Sequence, residues 1–255
     1  MPIIKAGDIS INYKVEGTGE PLIMIMGFGA GMEGWDSQTP FFAKYFKVIT
    51  YDNRGAGKSD KPKGPYTTAM MAEDAIHLMN SLGIGKAHVM GASMGGLIAQ
   101  ELAINHPEKV NRLVLACTFA RLAMADPEGA KSTDTPEERQ KRVLSLAYNK
   151  PLYRFFYGTL AKFRSIPQDS PEAMGIEGQN AAVSTHDTVD RLASIRAPAL
   201  VIVGTSDRLV SPSASKFLAG KIPDARLVKI EDGSHVFNVE NKNEFNREAL
   251  KFLTG

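Results

Sequence analysis

Cysteine is almost absent: Cys117 is the only one in 255 residues. A single thiol excludes an internal disulfide framework. It ends the apolar run "RLVLAC" and reads as a buried small hydrophobe rather than a reactive group. Charge of one sign is lacking too. Lys and Arg number 30 against 28 Asp and Glu, a net +2 that is too near balance to favour nucleic acid or an anionic membrane. No stretch approaches the roughly 20 apolar residues that span a bilayer. The opening "MPIIKAGDISINYK" has no basic start followed by an apolar segment, as a secretion signal would. The expectation is a cytoplasmic protein without a nucleic-acid or membrane partner. Internal repeats and low-complexity tracts are also missing.

What is present alternates. "EPLIMIMGFG", "KVITYDNRGAG", "AHVMGAS", "RLVLACT" and "ALVIVGTSD" are short β-rich runs that stop at Gly, Asp, Ser or Thr. Runs apolar on both faces indicate a mostly parallel sheet covered on both sides. "DISINYKVEG" instead alternates apolar and polar residues, like a half-exposed strand. It and the next run are expected to pair as an antiparallel hairpin at the sheet edge. Helix-like segments lie between, among them "TTAMMAEDAIHLMNSLGIG", "MGGLIAQELAINHPEKV", "SPSASKFLAGKIP" and the closing "NKNEFNREALKFLTG". The fold class is α/β, doubly wound. A chain of 255 residues suits one large domain or a core with an insertion. Residues 1–118 and 197–255 read as the core, and 119–196 as a mostly helical cap, because that span is too long for a plain crossover. Within it "PQDSPEAMGIEGQ" reads as loop and "PLYRFFYGTLAKF" is dense in aromatics.

"VMGASMGGLIAQ" sets Ser93 among Gly91, Gly95 and Gly96, between a strand-like and a helix-like run. Glycine weakens both element types. Gly91-Ala92-Ser93-Met94-Gly95 fits G-x-S-x-G, a turn so tight that the serine is strained and its hydroxyl stands at a helix N-terminus. A serine needs a base to become nucleophilic. Of five histidines, His77, His88, His106 and His186 read as structural. His235, in "IEDGSHVFN" after the last predicted strand, has the loop setting that brings a ring over the sheet end. Asp207, in "VIVGTSDRLVSP", is the acid expected to orient it, with Glu231 and Asp232 as rivals closer in sequence. The order is nucleophile, acid, base. Two backbone N–H groups should hold an oxyanion: that of Met94, after the serine, and that of Phe28, in the glycine-rich "IMGFGAGMEGW".

With these residues in place the chain resembles the α/β-hydrolase superfamily over nearly its whole length. The resemblance rests on "GASMGG", "GFG", "YDNRGAGKS", "GTSDRLV" and "DGSH". It implies a triad of Ser93, Asp207 and His235, an eight-stranded sheet, a lid that forms the substrate pocket, and no cofactor. In "YDNRGAGKS" Asp52 and Arg54 are expected to hold a turn together, and Trp35 to pack at the pocket wall or under the first helix. Met26 stands where such proteins usually carry a histidine before the oxyanion glycine, which makes the loop look more like that of β-ketoadipate enol-lactonases. A serine at 93 argues against the aspartate-dependent dehalogenase and epoxide-hydrolase branches. Ala92, in place of the usual Asn, weakens the carbon–carbon bond hydrolase branch.

The expected activity is hydrolysis of a carboxylic ester or lactone, with a small-molecule substrate. Alternatives on the same fold are a ligand receptor or signalling regulator, and a cofactor-free perhydrolase or haloperoxidase. Tyr153, Phe155, Phe156 and Tyr157 of the cap are candidates for an apolar pocket or for packing the lid on the core; Met32, Met94 and Phe237 are further pocket candidates by position. No metal site is expected. Oligomeric state is left open, with a homodimer as one option.

Overall fold

The computed structural model describes residues 2–125, 145–150, 167 and 169–255. Eight strands form one sheet: β1 (Ile3–Ala6), β2 (Ile9–Glu16), β3 (Pro21–Ile25), β4 (Lys47–Tyr51), β5 (Ala87–Ala92), β6 (Val110–Ala116), β7 (Ala199–Gly204) and β8 (Ala225–Ile230). Their spatial order is β1-β2-β4-β3-β5-β6-β7-β8. The pairs β1–β2 and β2–β4 are antiparallel and the rest parallel. The edge hairpin therefore joins Ile3–Ala6 to Ile9–Glu16, not Ile9–Glu16 to Pro21–Ile25 as the sequence pattern predicts. β3 instead lies between β4 and β5, parallel to both. Its residues Leu22 through Ile25 are buried without alternation, as an interior strand requires.

Helices α1 (Thr39–Phe42), α2 (Thr68–Ser81), α3 (Met94–Asn105), α4 (Pro171–Thr185), α5 (Pro212–Lys221), α6 (Phe237–Glu240) and α7 (Lys242–Thr254) accompany the sheet, with short 3₁₀ turns at Met32–Trp35, Pro107–Lys109, Leu122–Met124 and Leu192–Ser194. Successive strand side chains point to opposite faces. Leu22, Met24, Val48, Met90, Val114 and Ile202 accordingly pack with Trp35, Phe42, Phe245 and Phe252. Ile23, Ile25, Ile49, Val89, Leu115 and Val201 pack on the other face with Met71, Leu97, Ile98 and Leu218 of α2, α3 and α5. Each such aliphatic side chain contributes about 1.5–3 kcal/mol by leaving water, so the strand ends are held on a rigid slab. Trp35 is fully buried and stacks on Phe245 of α7, a core position. No helix among the described residues is long and apolar enough to cross a membrane.

One finding corrects the reading of the cap span. "PQDSPEAMGIEGQ" is not loop: from Pro171 it forms the first half of α4. The Ser170 hydroxyl accepts the N–H of Ala173, and Pro171 opens the helix. Two glycines disguise it, each costing a helix about 1 kcal/mol. They are there for space. A Cβ on Gly175 would lie 2.2 Å from the Gly55 carbonyl oxygen, and one on Gly178 would lie 2.4 Å from the Tyr66 ring. The helix thus lies directly on the turn that follows β4.

Past the end of α4, His186 is buried between two hydroxyls. Thr68 Oγ1 lies 2.8 Å from Nδ1 and Thr188 Oγ1 lies 3.3 Å from Nε2. Thr188 donates to Gln100 Oε1 at 2.7 Å, so it accepts from an Nε2–H, and Nδ1 accepts from Thr68. Burial lowers the His186 pKa from 6.5 to about 4. A histidine held neutral in the folded state lets the unfolded chain take up a proton first as pH falls. Its contribution to stability is therefore complete above pH 6.5 and is lost between 6.5 and 4, by roughly 3 kcal/mol in total. Between pH 7 and pH 4, urea unfolding of the wild type should lose roughly 3 kcal/mol more than that of His186→Gln. A difference between the two proteins that does not change with pH would contradict this.

Candidate active site

The strand β5 ends at Ala92 and α3 begins at Met94, so one residue makes the turn. Ser93 does so at φ 54 and ψ −121, a conformation a non-glycine residue rarely adopts. Three bonds fix it: its N–H donates to Ala116 at 2.9 Å, and its carbonyl accepts from the Gly96 N–H and the Thr118 hydroxyl, each at 2.8 Å. The glycines around it answer to space, not to backbone sign. A Cβ on Gly91 would meet the Gly95 carbonyl oxygen at 2.2 Å, and one on Gly95 would meet that of Ile25 at 2.1 Å. Helix α3 can enter this close to β3 and β5 only because those side chains are missing.

The hydroxyl so presented has a partner. Ser93 Oγ lies 3.0 Å from His235 Nε2, and His235 Nδ1 lies 2.9 Å from Asp207 Oδ2. An ionised carboxylate only accepts, so Nδ1 carries the proton and Nε2 offers its lone pair to the serine. The second Asp207 oxygen accepts the N–H groups of Leu209 and Val210, at 2.9 and 2.8 Å. Asp207 is thus held from both sides, with its side chain fully buried. The rivals Glu231 and Asp232 lie elsewhere: the Thr205 hydroxyl accepts the Asp232 N–H at 2.9 Å and bonds Glu231 Oε2 at 3.4 Å. These contacts and the Ser206 N–H to Gly233 bond of 2.9 Å clamp the loop of the acid to the loop of the histidine.

Gly27 lies against Ser93: a Cβ there would stand 3.2 Å from the serine Cβ. Phe28 follows, and its N–H and that of Met94 find no acceptor among the described residues. Both belong to segments that border the serine. Phe28 is 43 % exposed. The loop that carries it is held from outside at three points. Asn53 Nδ2 donates to the Met26 carbonyl at 2.8 Å, Asp52 Oδ1 accepts the Met32 N–H at 2.7 Å, and Gln179 Oε1 accepts the Gly29 N–H at 2.8 Å. Asp52 also accepts from Asn12 and from the Lys58 N–H, closing its own turn. Arg54 does not join Asp52. It pairs instead with buried Asp74 of α2 at 2.5 Å and with Asp8 at 3.1 Å. Burial raises the Asp74 pKa, and Arg54 opposes that.

Other predicted residues fall in varied places. Phe237 is a correction: it is fully buried against Phe245, 5.7 Å between ring centres, and is core rather than pocket wall. Met32 is buried with its sulfur 3.8 Å from Thr50 Oγ1. Met94 is buried at the start of α3. Tyr153, Phe155, Phe156 and Tyr157 lie outside the described residues. Cys117 is buried close to Ser93 and Asp207, and burial pushes its thiol pKa well up. His88 and His106 pair with Glu20 and Glu73, away from the serine. Gln179 and Asn53 are missed by sequence reasoning. The Ser-Pro pair that opens α4, the same signal that opens α5, is the feature that could have located the helix that carries Gln179, though not the residue's role. Among the described residues no group of three His, Cys, Asp or Glu side chains is arranged to hold a metal ion.

A strained serine at a strand-to-helix turn, backed by a histidine and an acid from later loops of a mostly parallel sheet, is the arrangement of one class. The chain belongs to the alpha/beta hydrolase fold family, whose model matches residues 20–242. Among its relatives is 3-oxoadipate enol-lactonase 2 of Acinetobacter baylyi, 31 % identical, covering 95 % of this chain and 92 % of that one. A protein of Azorhizobium caulinodans named for a proposed carbamate hydrolase activity, RutD, is 30 % identical over 99 % of this chain and 98 % of its own. In structure the chain is similar to the enol-lactonase of Burkholderia xenovorans LB400, with a TM-score of 0.86, 28 % identity and full coverage of both chains.

The packing around the turn has a direct test. Gly91→Ala is expected to lower the unfolding free energy by about 3 kcal/mol, as overpacking of a close contact does. Gly220→Ala, inside α5 with open space around it, should instead be neutral or stabilising by about 0.5–1 kcal/mol. Urea midpoints of the two variants in reversed order would contradict this account of the turn.

Proposed function

We propose that the protein is a serine hydrolase of carboxylic esters or lactones, with Ser93 as nucleophile, His235 as base and Asp207 as the acid that orients it. One observation carries the reading: the continuous hydrogen-bonded line from Ser93 Oγ through the His235 ring to Asp207, at 3.0 and 2.9 Å. The strain at Ser93 supports the same reading, as do the Phe28 and Met94 amides, which find no acceptor among the described residues.

In the proposed reaction His235 Nε2 takes the hydroxyl proton as Ser93 Oγ bonds to the substrate carbonyl carbon. The carbonyl π-electrons move to its oxygen, which the N–H groups of Phe28 and Met94 hold. Collapse breaks the bond to the leaving oxygen, and His235 returns its proton there. For a lactone the leaving alcohol stays tethered to the acyl group. Water, deprotonated by His235, then frees the acid and restores the serine. Asp207 stays ionised and stabilises the imidazolium that forms in each half. The relatives named as enol-lactonases favour a lactone among the candidate substrates. A carbamate presents an acyl carbonyl to the same groups, as the name of another relative implies for that protein. We take residues 119–196 as the cap over this site. In support, Asn149 Nδ2 lies 3.3 Å from the Asp232 carbonyl and 3.5 Å from that of Ser206, and α4 reaches the loop of Phe28.

Steady-state hydrolysis of short p-nitrophenyl esters and simple lactones tests the proposal. Ser93→Ala is expected to lower kcat by at least about 10³-fold while its circular dichroism and melting curve stay those of the wild type. A folded Ser93→Ala protein with wild-type turnover would overturn it, and so would a wild type that stops after one turnover with a retained adduct.

A further inference from the structure

Gln179 is fully buried on α4, at the end of the cap span, and its amide bonds two other segments. Its Oε1 accepts the Gly29 N–H and its Nε2 donates to the Arg54 carbonyl, both at 2.8 Å. The assignment of oxygen and nitrogen is fixed by these partners. A flipped amide would set NH₂ against N–H and oxygen against oxygen.

The loop it holds has little else. Between Met26 and Met32 the sequence is Gly-Phe-Gly-Ala-Gly, and Gly29 sits at φ +69. Among the described residues the other bonds of this stretch are local: Ala30 N–H to Gly27 at 3.5 Å, Gly31 N–H to Glu33 Oε1 at 3.3 Å and Gly34 N–H to the Gly31 carbonyl at 3.1 Å. Asn53 and Asp52 fix the stretch at its two ends, Met26 and Met32, and Gln179 fixes its middle. The residue so fixed directly follows Phe28. Without that bond the peptides on either side of Phe28, flanked by glycines, are free to rotate. The Phe28 ring itself is partly exposed, at 43 %.

We propose that Gln179 is a positioning residue: through the Gly29 N–H it holds the Phe28 amide aimed at the oxyanion, so that docking of α4 on the core completes the catalytic site. This rests on Ser93, Phe28 and Met94 having the roles proposed for them. It makes α4 part of the chemistry and not only a wall over the substrate.

The test uses the full chain with Gln179→Met, which keeps length and burial but removes both bonds. On p-nitrophenyl butyrate, kcat is expected to fall about 10²-fold, the scale of a misplaced oxyanion donor, with KM within about threefold. Binding of a trifluoromethyl ketone, which needs the oxyanion donors, should weaken by a similar factor. Gln179→Glu is the second variant. Held neutral by burial opposite the Arg54 carbonyl, its carboxyl keeps both an acceptor for Gly29 and a donor, and it should recover most of the lost kcat. A folded Gln179→Met with wild-type kcat, a loss confined to KM, or a Glu variant as slow as the Met variant would each overturn the proposal. If Ser93→Ala also retains activity, the failure lies with the reading of the site itself. If Ser93 is required and Gln179 is not, only the positioning role falls.

Discussion

The backbone of Ser93 is the constraint on which the site depends. Holding a non-glycine residue at φ 54 and ψ −121 costs on the order of 1–3 kcal/mol. The three hydrogen bonds to its N–H and carbonyl, and the packing of β5 against β3, β6 and α3, offset that cost. The strained turn puts the serine hydroxyl at the head of α3, above the carboxyl ends of the parallel strands. Loops leaving β3 and β7, and the loop after β8, arrive at the same end. Glycine at 91 and 95 removes two methyl groups that would otherwise hold the helix away from the sheet.

Around that fixed point the supports form a chain of buried polar contacts rather than a single anchor. The segment Asp52–Arg54, after β4, holds both ends of the loop of Phe28 and also receives Gln179 from α4. Arg54 in turn reaches α2 through Asp74. Buried polar groups of this kind are costly when any partner is lost, because the remaining one stays out of water without a bond. The loop, the turn and the helix therefore hold one another in a single arrangement.

Much of this is legible in the residues. Continuous apolar runs mark the interior strands because both of their faces are covered. The glycines around Ser93 mark a turn that needs space. The edge hairpin is not legible because β1 is only four residues long and its pattern is weak, so the next clear run looks like the partner of β2. Phe237 misleads because a residue two places from His235 can face either the cleft or the core, and only packing against Phe245 decides. Gln179 is invisible for a related reason: its role depends on how closely α4 approaches the Gly55 turn, and the glycines that permit the approach are the ones that make the segment look like a loop. Local propensity argues against the helix there, and tertiary contact overrides it.

The most direct measurement is a crystal structure of the protein after reaction with a fluorophosphonate. The account predicts a covalent bond from phosphorus to Ser93 Oγ. It also predicts a phosphoryl oxygen about 2.7–3.1 Å from the N–H groups of both Phe28 and Met94. A label on another residue, or an oxygen turned away from both amides, would contradict it.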